Sequence, residues 1–188
     1  ADRRVSAVLL KPTGFSSPYW GKVQELRDAV LEFRKTGKPA YAYLEYADDR
    51  NYYLATAADR IFLMPSSTLD LSGVATYAVF LRGTFDKIGV VPDMHHIGDY
   101  KTASNTFTEK SFTPAHREMT RSLNHDWYEE LVRGIASGRK ITEAAARAAV
   151  DRGPYLADAA VRASLFPPAR DRGVRRSGHR VRLTSSSC

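Results

Sequence analysis

Strand-length apolar runs alternating with stretches of helical period constrain this chain more than any other feature. RVSAVLLK (4–11) is a run of strand length, and TGFSSP (13–18) after it is a loop signal. From Gly21 to Thr36, Val23, Leu26, Val30 and Phe33 fall close to a helical period, with Gly37 as the stop. AYAYLEY (40–46) has strand length, NYYLATAA (51–58) reads as a short helix, and DRIFLMP (59–65) reads as a strand closed by Pro65. LDLSGVA (69–75) is a further strand or turn, and 77–88 is expected to be helical up to Gly89. VVPDMHHIG (90–98) reads as a strand whose internal Pro92 favours an edge or irregular position. A polar Thr- and Ser-rich stretch leads to Pro114, which opens a helix to about Gly138 with Met119, Leu123, Trp127, Leu131 and Ile135 as its stripe. Thr142 caps a last helix that stops at Gly153. This order is that of an α/β fold with crossover connections.

With 188 residues the chain has the length of one domain and can bury a core without covalent staples. Its one cysteine, Cys188, excludes an internal disulfide and any zinc site built on paired cysteines. The net charge of +7 suggests a nucleic-acid partner, but its location speaks against one. Residues 162–188 hold seven Arg, no Lys and one acid, Asp171, leaving 21 basic against 20 acidic residues in 1–161. The body is thus near neutral and offers no basic groove for phosphates. We divide the chain into a body, 1–160, and an Arg-rich tail, 161–188. The tail reads as disordered, or as sequence foreign to the body; a lipid-binding tail is the third reading. No apolar run reaches the ~20 residues that span a bilayer. A start without Met reads as a start within a longer protein.

Few residues stand out chemically. There is no G-x-S-x-G elbow, no H-E-x-x-H and no phosphate-binding glycine motif. His95 and His96, adjacent on the expected strand, face opposite ways and read as structural, as do His116 and His125; His179 lies in the tail. Asp48 and Asp49 are paired carboxylates, but beside Arg50 in a polar turn they read as a solvated ion-pair cluster. Lys101, in GDYKTAS, sits at a strand-to-loop junction where α/β proteins place function; its ordinary reading is a surface lysine. A free lysine titrates near 10.4, and burial in an apolar site leaves a neutral amine able to take a proton from a serine hydroxyl.

GKPAYAY, YYLATAADRIFLMP, DLSGVAT and GDYKTAS occur in an order that resembles the protease IV, or signal peptide peptidase A, family over about residues 4–160. The resemblance implies a ClpP/crotonase-like α/β spiral of ββα units, here a partial copy with long C-terminal helices. It also implies a serine–lysine endopeptidase with Lys101 as general base and with no metal or organic cofactor. In the family the nucleophile is a serine in an A-S-G-G-Y turn before the YY helix. Here the matching stretch is DDRNYY, with Asp49 at the serine position and Arg50 and Asn51 at the glycines. The long form has two tandem copies, the first supplying the lysine and the second the serine, and this chain is similar to the first. The resemblance further implies peptide substrates derived from signal peptide remnants, homo-oligomers and a membrane-associated place in the cell envelope. Two rivals stand beside it: a non-catalytic assembly or substrate-channel module, and an acyl-CoA enzyme of the same superfold, for which no signature is present. Ser104 and Ser72 are the local serines that could replace the nucleophile, and neither matches its position.

Overall fold

The computed structural model describes residues 2–12 and 19–166. Strand β1 (Val8–Leu10) leads to helix α1 (Trp20–Arg34) and then to β2 (Ala40–Leu44). On β2, Ala40, Ala42 and Leu44 are buried and the two tyrosines between them only partly so, the period-two signature of a strand with unequal faces. Next come β3 (Ala47–Asp48), α2 (Asp49–Ala55), β4 (Arg60–Leu63) and β5 (Thr68–Asp70). Helix α3 (Arg82–Ile88), a 3₁₀ turn (Thr102–Ser104), α4 (Asn105–Thr108), α5 (Pro114–Arg139), α6 (Glu143–Arg152), β6 (Tyr155–Leu156) and α7 (Ala157–Arg162) complete the order.

The strands form two small sheets, ordered β1-β2-β4 and β3-β5-β6. β2 pairs with β4 and β3 pairs with β5, both in parallel. The unit β2–β3–α2 is therefore followed by β4–β5 laid beside it strand for strand, which is the ββα step expected from the sequence. Parallel neighbours need a crossover, and α1 and α2 supply the crossovers beside β2.

Tyr52, Tyr53, Leu44, Ile61, Leu69, Leu71, Leu131 and Ile135 are the large side chains at the centre of the core. Helix α1 turns Val23, Arg27 and Val30 inward, leaving Leu26, part of the expected stripe, half exposed. Arg27 places its guanidinium over the Tyr53 ring at 4.9 Å and donates to Gly134 O (3.3 Å) and Ser137 Oγ (3.1 Å) on α5. Its aliphatic stem packs as an apolar residue would.

Three expectations change. Residues 90–98 form no strand, because no strand among the described residues takes up their backbone groups, and nearly all of them are exposed. The helix expected over 77–88 begins only at Arg82. Helix α5 ends at Arg139, as expected at about Gly138; Gly138 lies inside its last turn, where a Cβ would collide with the backbone carbonyl of Thr56, and Lys140 follows in a left-handed conformation (φ 56°). The division at residue 160 falls inside α7, and the core continues past it. Leu165 and Phe166 are buried, Tyr52 Oη donates to Leu165 O (2.6 Å), and the Tyr52 and Phe166 rings lie 5.3 Å apart. The remainder of the tail, with His179 and Cys188, lies outside the described residues.

Candidate active site

Lys101 stands at the end of an exposed stretch, 90–101, just before the 3₁₀ turn. Gly98 adopts φ +82°, a conformation that favours glycine, and its carbonyl accepts the Lys101 N–H at 3.2 Å. Thr102 and Asn105 then turn inward and anchor the chain, and Thr106 O accepts the Leu81 N–H at 2.7 Å. Asn105 Nδ2 donates to Thr113 Oγ1 (3.4 Å), the residue whose hydroxyl also caps α5 by accepting His116 N–H (3.2 Å). Lys101 is thus the last exposed residue before a locally bonded turn.

A cavity of about 740 Å³ opens here, lined by His95, His96, Ile97, Tyr100, Lys101 and Ser104 among others. Lys101 is exposed and takes part in no ion pair among the described residues, whereas Lys110 is held by Asp86 at 2.6 Å. His95 and His96 are both exposed and both line the cavity, so the strand geometry that would have set them on opposite faces does not arise. His116 packs against the Phe112 and Phe80 rings at 4.7 and 6.0 Å, and His125 lies 3.8 Å from Glu129 on the surface of α5. Among the described residues no cluster of three His, Cys, Asp or Glu could hold a metal ion.

The Asp48–Asp49 pair is not the solvated ion-pair cluster its composition suggested. Asp48 caps α2, its Oδ1 accepting Asn51 N–H at 2.7 Å. Asp49, the first residue of α2, turns its carboxylate to the turn after β5 and accepts the Gly73 N–H at 3.0 Å; the Ser72 N–H bonds to it as well. Gly73 sits at φ +83°. Burial pushes the Asp49 carboxyl up to about 6; the two amide bonds oppose this, and the charges of Asp48 and Asp70 add to it. Arg50 pairs with neither acid among the described residues. What the sequence missed is this clasp across 24 residues. The LSG turn was its only local sign.

Asp49 thus bonds to the turn at 72–73, while Lys101 lines a cavity built from residues 95–104. Ser104 Oγ is closed off from solvent and has no hydrogen-bond partner, so a peptide carbonyl has no approach to it. Ser72 is exposed, and its contribution to the clasp is its backbone N–H.

Comparison with known proteins places this arrangement. The family model for peptidase family S49 matches residues 32–167, well over half of the chain. The chloroplastic serine protease SPPA of Arabidopsis thaliana is 35% identical over 141 residues, which are 74% of this chain and 21% of that protein. Protease 4 of Salmonella typhi is 28% identical over 141 residues, 75% of this chain and 23% of that one. The chain therefore spans about a fifth of the length of these curated relatives. A solved peptidase structure from Plasmodium falciparum aligns over 86% of this chain and 77% of its own, with a TM-score of 0.48 and 12% identity. The matched region takes in the ββα step, the Asp49 clasp and the Lys101 turn together, and the chain belongs to peptidase family S49.

Proposed function

We propose that this chain is the lysine-bearing part of a serine-type endopeptidase and that Lys101 is its general base. One observation carries the reading: within the S49 match, Lys101 stands free of any ion pair among the described residues, at the wall of a cavity large enough for peptide side chains. A lysine acts as a base only where burial keeps part of it neutral near pH 7. Covering of this open cavity by the rest of the protein supplies that burial. The neutral amine takes the proton of a serine hydroxyl as its oxygen attacks the peptide carbonyl. It returns that proton to the leaving amine as the C–N bond breaks, and then deprotonates the water that hydrolyses the acyl-enzyme. The serine comes from a second copy of the fold. The apolar walls at Ile97 and Tyr100 suit hydrophobic peptides such as signal peptide remnants. Val91, Ile97 and Tyr77, all largely exposed, suit self-association. No helix among the described residues is long and apolar enough to cross a membrane, so membrane association would rest on other parts of the protein.

The isolated chain, in this reading, is silent. Asp49 occupies the position of the nucleophile and its carboxylate is committed to two amides. This favours an assembly and channel role for the copy in addition to the base it carries.

The test is substitution in the complete protein with a fluorogenic hydrophobic peptide. Lys101→Ala and Lys101→Arg both abolish turnover, the second because a guanidinium stays protonated. Lys110→Ala, in a surface ion pair with Asp86, retains most activity. Near-wild-type activity in Lys101→Arg overturns the assignment.

A further inference from the structure

The stretch that carries Lys101 is weakly held. Residues 90–101 are almost wholly exposed and pair with no strand. Beyond the 3₁₀ turn that follows Lys101, two hydrogen bonds tie this stretch to other parts of the described residues. One is Val90 N–H to Phe85 O at its start (3.0 Å). The other is Tyr100 Oη to Glu118 Oε2 on α5 (2.9 Å), immediately before Lys101. The remaining bonds, Lys101 N–H to Gly98 O and His96 Nδ1 to Gly98 O, are internal to the stretch.

The other end of this bond lies on a long helix: α5 buries Leu131, Val132, Gly134, Ile135 and Ala136 against the core in its C-terminal half, and Glu118, in its N-terminal part, is exposed. Glu118 stands in the second turn of that helix, near a start that the Thr113 hydroxyl and Pro114 define. Tyr100 also lines the same cavity as Lys101.

We propose that Glu118, acting through Tyr100, is a positioning residue for Lys101. This rests on the reading of Lys101 as general base. A tyrosine hydroxyl keeps its proton at neutral pH and can donate to Glu118 there, and the bond to Glu118 raises that hydroxyl further. A carboxylate acceptor makes it a charge-assisted bond, stronger than one between neutral groups. Proton transfer demands hydrogen-bond reach, and a displacement of about 1 Å can lower a rate about a hundredfold. The 3₁₀ turn anchors Lys101 on its C-terminal side, and the Tyr100–Glu118 bond is the side-chain link that fixes the exposed stretch on its N-terminal side.

The experiment compares Tyr100→Phe, Glu118→Ala, Glu118→Gln and the Tyr100→Phe/Glu118→Ala double variant in the complete protein, with Lys101→Ala alongside. Tyr100→Phe and Glu118→Ala are expected to lower kcat about ten- to a hundredfold with KM changed by no more than about twofold. The double variant is expected to be no worse than either single one, since both remove the same bond. Glu118→Gln, whose amide oxygen still accepts from Tyr100, recovers most of kcat. Tyr100 is about half exposed, so the fold tolerates its change, and unaltered melting temperatures check this. Wild-type kcat in Tyr100→Phe and Glu118→Ala overturns the proposal, as do losses that multiply in the double variant or a Glu118→Gln as damaged as Glu118→Ala. An active Lys101→Ala overturns the underlying reading instead. A dead Lys101→Ala beside fully active Tyr100→Phe and Glu118→Ala overturns the tether alone.

Discussion

Asp49→Asn tests the carboxylate clasp at the start of α2. The side chain keeps its shape and one oxygen to accept the Gly73 N–H, and it loses its charge. Burial moves the Asp49 carboxyl from 3.8 to about 6 in the folded chain. At about 1.36 kcal/mol per pKa unit this corresponds to at most about 3 kcal/mol. The carboxyl keeps some solvent contact, which reduces the figure to about 1–2 kcal/mol. For an acid whose folded pKa is raised, the folded state holds the proton more tightly than the unfolded one. The contribution is therefore full below pH 3.8 and is lost as pH rises through about 6. The neighbours that face Asp49 are Asp48 and Asp70, and Tyr46 Oη donates to Asp70 Oδ2 (3.1 Å). Both remain in the variant, so the difference between the two proteins reports Asp49 together with its coupling to these neighbours. The assay is urea unfolding of both chains at intervals from pH 4 to 8. Asp49→Asn should gain on the wild type by about 1–2 kcal/mol over the window from 3.8 to about 6 and keep that gain above it. Parallel stability curves for the two proteins across this range would refute the buried, charge-disfavouring clasp.

Other perturbations probe the packing. Gly138→Ala drives a methyl into the Thr56 carbonyl and should lower stability by about 1–3 kcal/mol, whereas Gly21→Ala, with open space around it in α1, should raise it by up to about 1 kcal/mol; urea midpoints read both. Tyr52→Phe removes the donor to Leu165 O inside the core and should cost about 1–3 kcal/mol. Trypsin cleavage after Arg162 should become faster in that variant, since the bond that holds Leu165 is gone, and unchanged cleavage would argue that the end of α7 is held by other contacts.

The elements legible in the sequence are those set by neighbouring residues. Thr113 and Pro114 begin α5, and Thr142 begins α6, because a cap needs only a hydroxyl and an N–H three residues away. The alternation on β2 and the αL glycine after α3 are equally local. The GDYKTAS turn was legible as a motif, and Lys101 is exposed there, as its ordinary reading as a surface lysine has it.

The rest needed partners distant in the chain. Residues 90–98 have the composition of a strand, but a strand exists only beside another, and none lies there among the described residues. Nothing in the residues around Arg27 marks it as buried. It is buried because Tyr53, Gly134 and Ser137, up to 110 residues away, accept its face and its protons. Gly138, near the expected end of α5, serves as a close crossing with α2, which no neighbouring residue signals. Asp49 reads as half of a solvated pair until the turn at 72–73 folds over it, desolvates it and gives it two amides. Chain-local chemistry, such as caps, pleats and left-handed turns, is written in consecutive residues. Which polar group loses its water, and which helix can approach another, depends on contacts that form only when the whole chain has closed on its core.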